Sequence, residues 1–389
     1  MAANWFLQSA LDARGGYVDN PRMASLNSNK EPTSVFAAIP TLSLGAEAEQ
    51  WSVLASGGVS INRYPEASEL NQNNTNFNLF SQYITPRFSW QLNGNYVQSS
   101  ILSTTQPLGS QTALVQTQSQ VSTATASPTV TWQISDVDQL TLGYAFQDVS
   151  YQNATQLGLF GFRYQQGTVT YTRLLNDSLQ LFVTPTYSVF DVPRTQFQSK
   201  TASLQVGARE VFSPTLSATV AVGGRRTQSS GVQQAGFYFF GRFIPIGQPV
   251  NVSSLSTGLV LDAKIDKRLE RGNLRGHLSR SLTPNGLGTQ VQTDTADLNF
   301  DHRITERLSG QASLSLLRAR VLQGTVANSS DRDSAQVTAG LSWAWSPRID
   351  MGLNYSYTWI RQKAPEAIGA GNAIYLTLSY RSTKIPLLQ

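Results

Sequence analysis

From residue 349 to residue 359 every second position is large and apolar: Ile349, Met351, Leu353, Tyr355, Tyr357 and Trp359, with Asp350, Gly352, Asn354, Ser356 and Thr358 between them. A period of two belongs to a β-strand with one apolar and one polar face. The pattern recurs at Leu140, Leu142, Tyr144 and Phe146, at Leu216, Ala218, Val220 and Val222, along 255–265, and from Leu308 to Leu316. Alternation alone also fits a soluble sandwich. The connections discriminate further. Short turn signals at 46–50, 85–88, 135–139, 175–178, 213–215, 270–273, 305–307 and 346–348 alternate with longer stretches at 18–33, 65–73, 100–115, 151–156, 191–195, 228–252, 283–288, 323–333 and 362–371. Eight short turns and nine long loops separate 18 strands, with both chain ends on the short-turn side.

Lipid offers no partner for backbone N–H and C=O groups, so a sheet in lipid must close on itself. An even strand number with short turns at one rim and long loops at the other is the layout of a bacterial outer-membrane barrel. The expected fold is therefore an all-β, antiparallel up-and-down transmembrane β-barrel of about 18 strands, one domain over 1–389, with short periplasmic turns and long extracellular loops. Trp51, Trp90, Trp132, Tyr144, Tyr171, Tyr187, Trp343, Trp345, Trp359 and Tyr380 lie towards strand ends, where an interfacial aromatic girdle belongs.

Composition agrees. Charged residues make up 14% of the 389 and apolar ones 40%, against about 25% and about 45–50% in soluble proteins. Ser, Thr, Gln, Asn and Gly fill the difference. The absence of Cys excludes disulfides, thiolate zinc sites and iron–sulfur clusters. No run of 18 apolar residues suggests a transmembrane helix. Met-Ala-Ala-Asn-Trp at the start lacks the basic and apolar stretches of a signal peptide, as would an initiator Met on a mature sequence. The net charge of +5 is dispersed over 23 Arg and 6 Lys, so nucleic-acid binding is not expected.

If the apolar faces meet lipid, the alternate residues line the lumen. Most are uncharged, such as Gln91, Asn93 and Asn95, or Thr168, Thr170 and Thr172. Parity places the ionisable Arg209, Arg225, Asp262, Lys264, Arg275, His277, Asp297, Asp301 and Asp350 on the same side, with Asn299 among them. Arg209, Arg225, Asp262, Lys264, Arg275, Asp297 and Asp301 are the candidate solute contacts, and mixed charge among amides and hydroxyls suits neutral or weakly anionic polar solutes. The bland reading is that these charges only pair with one another. Within 228–252, Phe237, Tyr238, Phe239, Phe240, Arg242 and Phe243 form an apolar run that is costly in water. It is expected to constrict the lumen, extend the wall as a hairpin or touch a neighbour.

Enzymatic chemistry finds little support. His277 near Ser279 and Ser281 invites comparison with barrel-embedded hydrolases, but Ser is too common for proximity to count. No P-loop, no G-x-G-x-x-G between strand and helix and no H-E-x-x-H occurs. Asp331, Arg332 and Asp333 near Asn328 read as a solvated loop tip. No cofactor or metal is expected. No globular plug precedes the first strand, which disfavours an energy-coupled siderophore receptor.

Gly15-Gly16-Tyr17-Val18-Asp19-Asn20-Pro21, Trp51 with Arg63-Tyr64 and Leu70-Asn71, and Thr85-Pro86-Arg87-Phe88-Ser89-Trp90 with Gly94-Asn95-Tyr96 resemble a porin-like outer-membrane β-barrel family found in exopolysaccharide export loci. The likeness is architectural over the chain and motif-level in roughly the first hundred residues. It implies a passive conduit for secreted polysaccharide or small solutes, surrounded by outer-membrane lipid and lipopolysaccharide and served by periplasmic polysaccharide-export proteins. A diffusion porin shares the fold without such partners, and a scaffold barrel gripping another protein is a third possibility. One departure is the end. The last strand reads 375–380 and is followed by 381–389, whereas such barrels commonly finish on an aromatic residue; either the insertion signal is internal or these residues form a short periplasmic tail.

Overall fold

The computed structural model describes residues 3–24, 30–100, 119–152, 159–233, 236–239, 242–245, 250–286, 288–321, 331–363 and 366–388. The strands are β1 (Asn4–Val18), β2 (Thr33–Glu47), β3 (Trp51–Arg63), β4 (Gln72–Ile84), β5 (Phe88–Ser100), β6 (Gln120–Gln133), β7 (Asp138–Tyr151), β8 (Phe162–Leu174), β9 (Leu179–Val192), β10 (Phe197–Ser213), β11 (Leu216–Gln233), β12 (Gly236–Phe239), β13 (Arg242–Pro245), β14 (Val250–Leu269), β15 (Gly272–Pro284), β16 (Gln290–Arg303), β17 (Leu308–Val321), β18 (Arg332–Ser346), β19 (Ile349–Lys363), β20 (Glu366–Arg381) and β21 (Ile385–Leu388). Each of β1–β10 pairs antiparallel with the next, β11 passes to β14, and β14–β20 continue the series. β20 then pairs back onto β1, with Ala10 opposite Arg381 and Val18 opposite Ala373. The result is the closed antiparallel barrel of 18 strands that the alternation implied. Closure gives every strand two neighbours and leaves no edge in the ring.

At a strand spacing of about 4.8 Å and a tilt of about 40°, 18 strands close at a diameter of roughly 36 Å between backbones. The outward face is apolar: Leu376 is 67% exposed, Leu259 59% and Leu255 58%. The expected girdle aromatics share that face, and Trp343 stacks on Trp345 with ring centroids 6.3 Å apart. No helix among the described residues is long and apolar enough to cross a membrane; the crossing elements are strands.

Three boundaries differ from the sequence reading. The expected loop 362–371 is instead a tight hairpin, with Lys363 opposite Glu366 and strand pairing through Gly369 and Gly371. These glycines look like loop signals, but they face inward, where the β1–β2 connection presses on the wall. A Cβ at Gly369 would lie 2.5 Å from the Met23 carbonyl oxygen. The expected loop 228–252 gives its two ends, 228–233 and 250–252, to β11 and β14, which pair up to Gln233 opposite Val250. Between them β12 and β13 form a separate small hairpin. The tail does not hang free of the sheet: Ile385 pairs with Leu7 and Pro386 with Phe6, and Lys384 both pairs with Glu47 at 2.9 Å and sits over the Phe6 ring.

Candidate functional site

Arg209, Arg225, Asp262, Lys264, Arg275, Asp297 and Asp301 all lie on strand positions that alternate with exposed apolar neighbours such as Val206, Val222, Leu261, Ile265, Leu278, Leu298 and Phe300. They therefore point inward. Two ion-pair chains result on β14–β17. In the first, Lys264 Nζ lies 3.0 Å from Asp262, whose other oxygen lies 2.9 Å from His277 Nε2. His277 Nδ1 faces Asp297 at 4.0 Å, and Ser315 donates to Asp297 at 2.5 Å. In the second, Arg275 pairs with Asp301 at 3.2 Å and Asn273 donates to the same carboxylate at 3.0 Å. Ser279 shares a 2.6 Å bond with Thr295, while His277 is held between two carboxylates; no Ser–His pair forms there. His302 faces outward and stacks on Phe300. No cluster of metal-ligating side chains exists among the described residues.

The wall opposite is different in kind. The inward positions of β3–β9 carry no Asp, Glu, Lys, Arg or His among the described residues. They carry hydroxyls and amides paired with one another: Asn95 donates to Asn78 at 2.6 Å, and Thr131 with Thr141 and Thr170 with Thr184 sit at 3.2 and 3.1 Å. In ring order β3–β6 lie across from β14–β17. The lumen thus sets a charged wall against an uncharged dipolar one.

The extracellular mouth is narrowed by two inward-folded segments. Pairing between β14 and β15 stops at Leu261 opposite Arg280, although β15 and β16 stay paired to Pro284 opposite Gln290. Past that point β15 parts from β14 while β16 stays paired with β17 up to Val291 opposite Val321, and the hairpin leans across the mouth. Gln290 accepts from Ser199 of β10 at 2.7 Å, and Gln292 accepts from Arg225 of β11 at 3.2 Å, three strands away. The Gly286 carbonyl accepts from the backbone N–H of Phe160 at 2.7 Å. Arg225 is only 5% exposed, and its guanidinium lies across Gly258, where a Cβ would approach within 2.7 Å. It also donates to Thr227 at 3.3 Å. Of the seven candidate contacts, Arg225 is thus the one enclosed beneath the hairpin. An apolar patch of Val149, Phe162, Phe190 and Val192, with Phe160 packed against it, lines the inner wall near the hairpin tip.

The second segment is the β3–β4 connection. Tyr64, Ala67 and Leu70 pack on Val18, Val35, Ala373 and Tyr375 of the inner wall. Glu66 accepts from the Thr33 hydroxyl at 2.9 Å and the Ser34 N–H at 2.8 Å. Those bonds, the backbone one first, hold its carboxyl below the usual glutamate range. Glu69, ion-paired with Arg22 of the β1–β2 connection, is held low by its own backbone N–H and by that guanidinium.

Sequence reasoning placed the charged lumen residues and missed both mouth segments. For the hairpin a trace existed: Gln290 and Gln292 put amides on the face that carries Ala296, Leu298 and Phe300 lower down. Of the aromatic run, Phe237, Tyr238 and Phe239 fall on β12, and Arg242 and Phe243 on β13. The backbones of β12 and β13 pair as a two-stranded hairpin separate from the wall sheet, while Phe240 lies outside the described residues.

No protein-family model matches the chain, and no curated protein matches it in sequence. Solved structures do resemble it. The ferric citrate transporter FecA in its unliganded form aligns at a TM-score of 0.50 and 8% identity, over 97% of this chain and 79% of that one. OccAB4 of Acinetobacter baumannii aligns at 0.46 and 8% identity over 97% and 98% of the two chains. The outer membrane protein opdK of Pseudomonas aeruginosa aligns at 0.43 and 10% over 97% and 98%. Identity this low speaks for the fold alone, and the fold in common is the β-barrel.

Proposed function

We propose that this chain is a passive outer-membrane diffusion channel for small polar solutes. The observation that carries the reading is the division of the closed ring. The outside carries an apolar band on every side of the ring, while the inside opposes the charged wall of β14–β17 to the hydroxyl and amide wall of β3–β6. A solute moving between them exchanges water for hydroxyls and amides on one side and fixed charges on the other, which favours polar molecules of low net charge. Arg209, Lys264 and Arg275, with Asp262, Asp297 and Asp301, are its contacts in this reading. No step requires catalysis or a cofactor.

Single-channel recording in planar bilayers tests it. Discrete steps whose ion selectivity changes in Lys264→Gln and Arg275→Gln support the channel. A folded barrel that stays silent even after the β15–β16 hairpin is shortened overturns it and favours a scaffold holding a partner. A conduit for secreted polysaccharide would use the same wall and rests on the motif likeness within residues 15–96. Loss of secreted polysaccharide on gene deletion, with small-solute uptake unchanged, would favour that version.

A further inference from the structure

The outer face carries a row of charges that passage through the lumen does not use. Arg280 of β15 stands opposite Asp294 of β16, Asp294 opposite Arg318 of β17, Arg318 opposite Asp333 of β18, and Asp333 opposite Arg361 of β19. Five adjacent strands thus carry alternating charge along one line of cross-strand partners. All five side chains share the outward face. Two residues nearer the periplasm on that face stand Leu278, Ala296, Leu316, Ala335 and Trp359. The surface changes from apolar to ionic in a single step, which marks the boundary between acyl chains and headgroups.

The row is internally paired: Arg280 with Asp294 at 2.6 Å, Arg318 with Asp333 at 2.9 Å, and Arg361 with Glu366 at 2.9 Å. Cations nevertheless exceed carboxylates. Arg320 is exposed and makes no ion pair among the described residues. The Lys363 Nζ reaches Asp333 only at 3.8 Å. On the other side of the ring, the outward positions of β4–β6 carry no charge at all. Exposed ion pairs add little stability, so holding strands together does not account for a five-strand row with surplus cations; the shorter outward line Asp148, Arg163 and Asp191 on β7–β9 has more carboxylates than cations. A guanidinium fork matches phosphate oxygens, and an ammonium adds a point charge beside it.

We propose that this face docks lipopolysaccharide through its phosphate groups, with Arg320 and Lys363 as the phosphate contacts and the paired row as their frame. The inference rests on the outer-membrane part of the functional reading and is independent of conduction. The probes are diphosphorylated lipid A, monophosphoryl lipid A and inorganic phosphate, added to the full-length protein in detergent micelles, with bound lipid counted by native mass spectrometry. Wild-type protein is expected to retain the diphosphorylated lipid in preference to the monophosphoryl form. Arg320→Ser and Lys363→Ser are each expected to weaken retention about fivefold, the gain of one basic residue at an anionic lipid surface. Both sites are solvent-facing, and heat-modifiable migration on gels checks that the variants fold. Equal retention of the two lipids, or equal retention by wild type and the double variant, overturns the site. So does displacement of the lipid by millimolar inorganic phosphate, which would mark a free-ion site. A barrel that conducts but shows no lipid preference loses this inference alone. One that prefers the diphosphorylated lipid but passes no ions loses only the channel.

Discussion

The substitution Arg225→Met tests whether the β15–β16 hairpin sets the width of the mouth. The side chain keeps an unbranched stem but loses the guanidinium that lies over Gly258, and with it the bonds to Gln292 and Thr227. A hydrogen bond from a charged group is worth about 1.5–3 kcal/mol. If the bond to Gln292 contributes in that range, its loss raises the ratio of released to docked hairpin about 10- to 150-fold. The bonds from Ser199 to Gln290 and from Phe160 to Gly286 remain, so docking is weakened and not abolished. The consequence for conductance follows from area. From Arg280 to Pro284 the hairpin runs four residues, about 13 Å at about 3.3 Å each, and two strands span about 10 Å. Its shadow is then roughly 130 Å². A lumen of about 36 Å between backbones, less about 5 Å of side chain on each side, offers roughly 530 Å². The hairpin therefore covers about a quarter of the opening.

Single-channel current through the Arg225→Met barrel should flicker between two levels differing by about a quarter, with the higher level visited more often than in wild type. Replacing residues 284–289 by a two-residue turn should fix the higher level. Identical conductance and noise in wild type and both variants would refute the argument, because it would show that ions do not pass beneath the hairpin.

Other expectations follow from the same geometry. Neutralising Asp262 and Asp297 together with Asn leaves Lys264 without a carboxylate at close range, while Arg275 keeps Asp301, so the reversal potential in a salt gradient should move towards anion selectivity by up to about fivefold in permeability ratio, given about 1 kcal/mol per close charge in water. Glu66 and Glu69 both titrate below their ordinary range in the folded loop. Their hold on the β3–β4 connection is therefore complete above the unfolded glutamate value of about 4.3 and is lost as pH falls through the lower folded values. Proteolysis within 64–71 by an acid-active protease should rise between pH 5 and roughly pH 3, and an unchanged cleavage rate would show that the apolar seat alone holds the loop. Gly369→Val would drive a side chain into the Met23 carbonyl, at about 1–3 kcal/mol for overpacking; an unaltered temperature of heat-modifiable migration would contradict that contact.

The fold is legible in sequence because lipid and water enforce it position by position. At Met351, Leu353 and Tyr355 an apolar side chain must alternate with Asp350, Gly352 and Asn354, and no tertiary partner can override that requirement. The same rule assigns the inward face to Arg209, Asp262 and Asp301 without reference to any contact. Where it fails, at 362–371, Gly369 and Gly371 read as breakers although they are strand positions cleared for a neighbouring loop. Local pattern reports the face a residue takes; it does not report what is pressed against that face.

That limit explains why the mouth is illegible. Whether a hairpin stands up from the rim or folds across it depends on partners far apart in the chain: Gln290 with Ser199, Gln292 with Arg225, and Gly286 with Phe160. Burial of a polar side chain is stable only when such partners meet it. Arg225 shows the consequence most directly. Parity assigns it to the lumen, which is where it lies, yet the hairpin above it leaves its guanidinium almost no water to share with a solute. A cation beneath a docked hairpin acts on permeation through the position of that hairpin, whereas Arg275 and Lys264, both more than half exposed at their side chains, act on the solute itself. The two kinds of lumen cation are therefore separable: substitution of the first changes conductance, and substitution of the second changes selectivity.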